Sequence, residues 1–145
     1  MKKRFLYLLL PIVTLLLEVL PYGAVCNFMR PATDGSIGHF RELYSYFDLM
    51  PFGYANFAPL ITAVFTCLIT VLLVFYCITG KIRIAAAAKN LLYVCVVFSL
   101  GPMTLGFHFL SIVGILITLC LIGETLLLRS LLKGASQNGN SGICH

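Results

Sequence analysis

Apolar residues fall along this chain in four long blocks, at about 5–26, 58–79, 85–105 and 108–128. Each approaches the roughly 20 apolar residues that carry a helix across a bilayer. One long polar segment, 27–57, separates the first two blocks, and a Gly/Ser/Asn-rich stretch, 134–145, follows the last. The pattern predicts an all-α membrane protein: a four-helix transmembrane bundle over residues 1–133, an outer loop at 27–57 and a flexible cytoplasmic tail. Within the outer loop, Ile37, Phe40, Tyr44 and Phe47 recur at helical spacing with polar residues between them. That spacing predicts a short amphipathic helix between spans 1 and 2, lying in the interface or on the rim of the bundle. Arg30-Pro31 to Ser36 before it is turn chemistry. Pro11 and Pro21 are expected to bend the first span, each freeing the carbonyl four residues earlier.

Composition supports this class. The chain is 60% hydrophobic and 10% charged, with a mean hydropathy of +1.00, far from the balance of a soluble domain. The net charge of +5 comes from short basic clusters beside the apolar blocks, which excludes nucleic acid as the expected partner and makes the lipid bilayer the first one. With four spans, Lys2, Lys3, Arg4, Lys81, Arg83, Lys89, Arg129 and Lys133 share one side, against Arg30 and Arg41 on the other. The positive-inside rule then places both termini in the cytoplasm of a cell membrane, a bacterial inner membrane before a eukaryotic one. The start resembles a secretory signal in its charge. The −3 and −1 positions (Tyr22 and Ala24, or Gly23 and Val25) make a poor cleavage site, so an uncleaved first span is expected.

Several groups bear on chemistry. Glu18 puts a carboxylate within the first span, where an ionisable side chain costs several kcal/mol, about 2.5–3.5 on insertion scales, unless other helices satisfy it. Thr14, Glu18, Tyr22 and Cys26 fall on one helical side, as do Ala58, Thr62, Thr66 and Thr70 on the second span. Small and hydroxylic rows are what helices use to pack closely in lipid. Helix depth places Glu18 level with Thr62 and Thr66, with Ser99 and with Ser111, and Thr14 near Thr70. Glu18, Thr62, Thr66, Ser99 and Ser111 form the expected intramembrane polar site. It is either a proton or cation site or a hydrogen-bonded acid that fixes helix register; the second reading is favoured because no second buried acid is expected at that depth. Glu124 is expected nearer the basic face, in a structural ion pair with Lys89.

Catalytic, cofactor and metal sites are not expected. The six cysteines form no Cys-x-x-Cys pair, and most lie inside apolar blocks as packing residues; Cys26 alone is expected at the outer surface. His39 and His108 lack a third ligand, and Cys144-His145 is an isolated pair in the tail. No hydrolase, protease or phosphate-loop motif occurs. The expected function is therefore a non-enzymatic accessory or interaction subunit, with a membrane-protein partner or a second copy. The alternative is a small proton- or ion-coupled transporter organised around Glu18.

Overall fold

The computed structural model describes residues 2–31, 37–49, 56–104 and 111–140. The chain forms α1 (Lys2–Val19), β1 (Ala24–Pro31), β2 (Ile37–Tyr44), α2 (Ala58–Thr79), α3 (Ile82–Ser99), a short α4 (Gly101–Thr104) and α5 (Ile112–Asn140). The long helices α1, α2, α3 and α5 alternate in direction and close into a ring, α1 touching α2 and α5, and α3 touching the same two. Among the described residues, three helices are long and apolar enough to cross a membrane: α2, α3 and the Ile112–Ala135 part of α5. The apolar part of α1, Phe5–Val19, is shorter. All of α1, at 18 residues, reaches about 27 Å against a hydrocarbon core of about 30 Å.

Local chemistry sets the boundaries. Pro59 opens α2 in its first turn, and Gly80 closes it in the left-handed conformation, at φ 66°, its N–H donating to the Tyr76 carbonyl at 2.8 Å. That conformation favours glycine, and it lets α3 begin almost at once as the antiparallel partner of α2. Phe65 and Phe98 meet edge to face across this pair, centroids 5.9 Å apart. Ser111 caps α5: its Oγ accepts the Gly114 N–H at 2.8 Å. The core follows the ring, with Ile69 and Leu73 of α2, Leu92 of α3, and Ile117, Leu121 and Leu128 of α5 fully enclosed. The outward faces stay apolar, as at Leu68, Ile78, Val97 and Leu126, which suits hydrocarbon rather than water.

The structure departs from the pattern-based expectation in several places. The second span falls as expected, but the first helix stops at Val19 instead of reaching residue 26. Pro21 disfavours helical geometry at the residue before it, and Leu20 N–H closes the last turn on the Leu17 carbonyl at 3.3 Å. Tyr22 and Cys26 therefore leave the Thr14–Glu18 face, Tyr22 exposed and Cys26 fully buried rather than at the surface.

The expected amphipathic helix is instead a strand. Residues released by the early end of α1 become β1, which pairs antiparallel with β2 from Ala24↔Tyr44 through Phe28↔Phe40 to Pro31↔Ile37. Helical spacing in 37–47 looked sufficient only while residues 24–26 were assigned to a span; freed, they supply the ladder a strand requires. Tyr44 donates to Glu42 Oε2 at 2.6 Å, and that carboxylate pushes the phenol up to about 12.

Further on, α3 spans 82–99 rather than 85–105, ending before Gly101-Pro102, and α5 runs to Asn140, into the stretch expected to be a flexible tail. His108, Cys144 and His145 lie outside the described residues.

Candidate functional site

Two carboxyl groups are enclosed by the ring of helices. Glu18 on α1 is 0% exposed and Glu124 on α5 is 3% exposed. Thr66 of α2 donates to Glu18 Oε1 at 2.8 Å, and Thr14 of α1 donates to Glu124 Oε1 at 2.8 Å. Because Thr14 and Glu18 are one turn apart on the same face, the two acids lie on adjoining levels of one interior seam. Among the described residues, each keeps its other oxygen, Oε2, buried without a hydrogen-bond partner, and neither has an ion-pair partner.

The end of α1 is held firmly. The Glu18 backbone carbonyl, one of the last four in its helix, accepts from both Tyr46 N–H at 3.0 Å and Ser45 Oγ at 2.8 Å. Asp48 in turn accepts the Ser45 N–H at 2.7 Å, so the chain leaving β2 forms a polar plug on α1. Tyr46 is 2% exposed. Its ring passes so close to Gly23 that a Cβ there would stand 2.8 Å from Cδ1. Burial pushes the Tyr46 phenol up.

On α2 each threonine of the row also bonds back along its own helix: Thr62 to the Ala58 carbonyl at 2.8 Å, Thr66 to Thr62 at 3.0 Å and Thr70 to Thr66 at 2.8 Å. Thr66 and Thr14 thus each face two acceptors with one proton, since Thr14 also approaches the Leu10 carbonyl at 3.0 Å. If the carboxyl is neutral, it donates to the threonine oxygen and the threonine proton goes to the backbone. If the carboxyl is ionised, the threonine proton turns to it. The same heavy-atom geometry serves both states, so a proton can come or go by rotation of one hydroxyl. The Cys95 thiol of α3 completes the surroundings, 3.8 Å from Thr66 Oγ1 and 3.7 Å from the Thr62 carbonyl.

Of the polar residues grouped by helix depth, the structure brings Glu18 and Thr66 together. It leaves Thr62 one turn earlier on α2, its hydroxyl bonded to its own helix. Ser99 and Ser111 lie elsewhere: Ser99 pairs with Thr118 at 2.6 Å and Ser111 donates to the Gly23 carbonyl. Thr14 meets Glu124 and not Thr70. The Lys89–Glu124 ion pair is absent. The Glu124 carboxyl turns toward α1, and Lys89 lies over the Tyr93 ring, 5.7 Å from its centre. The inference that Glu18 has no second acid nearby fails for the same reason. No protein-family model matches the chain, and no curated protein or solved structure is found to resemble it.

The contact between α1 and α2 is directly testable. With Cys95 replaced by alanine, Glu18→Cys paired with Thr66→Cys should cross-link under mild oxidation, as side chains in direct contact can. Leu16→Cys, 64% exposed on the outer face, should not cross-link with the same partner. Equal cross-linking from position 16 would rule out this face for α1.

Proposed function

We propose that this chain is a small multi-pass membrane protein in which Glu18 and Glu124 form an interior proton- or cation-binding site, serving proton- or ion-coupled transport. The observation that carries this reading is the pair of enclosed carboxyls, each bonded to one threonine and each with an uncommitted buried oxygen. A single acid can act as a register pin. Two on one seam, with no base beside them among the described residues, suit a site whose charge is neutralised by something that enters and leaves. No enzymatic role is assigned, and the bilayer is the environment.

In this reading α1, α2, α3 and α5 all span. Lys81, Arg83, Lys89, Arg129 and Lys133 face the cytoplasm of a cell membrane, with the β1–β2 hairpin outside. Gly38→Cys should then label with an impermeant maleimide in intact cells in a background stripped of reactive native thiols. Gly134→Cys, where an added Cβ meets nothing within 4 Å, should label only after lysis. Reversed labelling would overturn the orientation.

The functional test is flux. Proteoliposomes with an enclosed pH-sensitive dye should show cation- or pH-gradient-driven proton movement. Glu18→Gln should abolish it, and Glu18→Asp should retain part. Flux that survives Glu18→Gln, or wild-type vesicles inert to every gradient, would remove the transport reading.

The accessory-subunit reading, with a membrane-protein partner or a second copy, draws on a separate observation. The hairpin and the segment after it expose Met29, Phe40, Leu43 and Leu49, the last at 84%, a concentration of apolar surface that suits docking.

A further inference from the structure

Between α3, α5 and the segment that leaves α1 lies a cavity of about 190 Å³, separate from the two carboxyls. It is elongated. At roughly 1.5 Å of rise per residue, Ser111 at one end of its lining and Ile122 at the other are about 16 Å apart along α5. It is also graded in polarity. Asn56, Tyr46 and Ser111 line it toward the hairpin, while Leu119 and Ile122 line it toward the middle of the bundle.

The hydroxyls between offer little to a polar guest. Ser111 gives its proton to the Gly23 carbonyl, and Thr118, 3.0 Å from the Gly114 carbonyl, shares a hydrogen bond with Ser99 in which either oxygen can donate. A cavity of this size with mostly apolar walls does not hold water well and takes apolar matter instead. Its side opens outward between the end of α3 and α5, since Leu100, Ile115, Leu119 and Ile122 line it and are also 37–58% exposed. In a bilayer that opening faces hydrocarbon.

We propose that this cavity is a binding site for one acyl chain, entering sideways between α3 and α5 with its tail along Leu119 and Ile122 and its polar end near Asn56. A round apolar ligand would leave the length unused, and a wholly polar one would meet Ser99, Ser111 and Thr118 hydroxyls already bonded to one another or to the backbone and an apolar far end at Leu119 and Ile122. A phospholipid and a free fatty acid share this chemistry.

Photolabelling tests the proposal and separates the two sources. The full chain is reconstituted in vesicles of phosphatidylcholine and phosphatidylglycerol. One arm contains a phospholipid with a diazirine in its acyl chain, the other the corresponding free fatty acid, and adducts are mapped by mass spectrometry. Label should appear on the inner wall, at Pro59, Ser99 and Gly114, as well as on the lipid-facing Ile78, which is 74% exposed. Whichever arm labels the wall identifies the source, and either supports the site. Filling the cavity with Thr118→Phe should lower wall labelling about fivefold or more while Ile78 labelling holds. Leu119→Trp, which fills the cavity from the lipid side, repeats the test should Thr118→Phe fail to fold. A wall that neither probe labels while Ile78 is labelled would overturn the proposal. So would wall labelling undiminished in a folded, filled variant.

Discussion

Tyr46→Ala should lower the stability of the bundle by about 3–5 kcal/mol, the range for removing a large enclosed aromatic side chain. Three roles converge on this residue. Its amide caps the Glu18 carbonyl, its ring packs on Gly23 and Ile117, and its hydroxyl reaches toward Gly114. The amide bond survives the substitution, so the loss reads the ring alone. The same contact seen from the other side gives a second expectation. Gly23→Ala would drive a methyl to 2.8 Å from the Tyr46 ring and should cost about 1–3 kcal/mol through overpacking. Combining it with Tyr46→Leu should cost less than the sum of the two changes, because the shorter side chain yields space. Unfolding monitored by circular dichroism in mild detergent measures all three. A Tyr46→Ala variant as stable as the parent would mean that the hairpin does not plug the end of α1 in this way.

Thr14→Val should destabilise the fold by on the order of 1–3 kcal/mol, because it takes from Glu124 its one hydrogen-bond donor and leaves both oxygens enclosed without partners. Restoring the balance on both sides should reverse the effect. Thr14→Val combined with Glu124→Leu removes donor and acceptor together, and such replacements are often neutral or stabilising. The double variant is therefore expected at or above parental stability, with any transport activity lost. Lys89 supplies the contrast. Exchanging charges through Lys89→Glu and Glu124→Lys should show no rescue, since the two side chains do not meet. A double variant with Thr14 that is simply additive, or a Lys89 exchange that restores stability, would shift the partner of Glu124 away from α1.

Much of the helical architecture is written in the hydrophobic pattern. α2 lies at Ala58–Thr79, between Pro59 and Gly80, where local chemistry and periodicity agree. The seam between Glu18 and Thr66 follows from two rows of four-residue spacing on neighbouring antiparallel helices. The hairpin was hidden because residues 24–26 are apolar enough to prolong a span. Only the tertiary pairing of β1 with β2, which local periodicity does not encode, decides the matter. Glu124 was misread for a different reason. Its closeness to the basic cluster suggests an ion pair, yet it stands on the same stripe as Ile117, Leu121 and Leu128, all enclosed. That three- and four-residue spacing marks a core face, and an acid on a core face needs an interior partner. Thr14, already placed on the Glu18 side of α1, was available to provide it. Tyr46 carried no signal of its own, since its role depends on a chain reversal that places it over the end of α1.

The central claim is that two interior acids are each held by a threonine from a neighbouring helix, and infrared difference spectroscopy of the reconstituted protein across a pH step tests it most directly. The account predicts a carboxyl band that disappears in Glu18→Gln and shifts in Thr66→Val, and a second that disappears in Glu124→Gln and shifts in Thr14→Val. Neither band should move in Thr118→Val, whose hydroxyl bonds elsewhere. Glu18 and Glu124 bands that ignore Thr66 and Thr14, or respond equally to Thr118→Val, would contradict it.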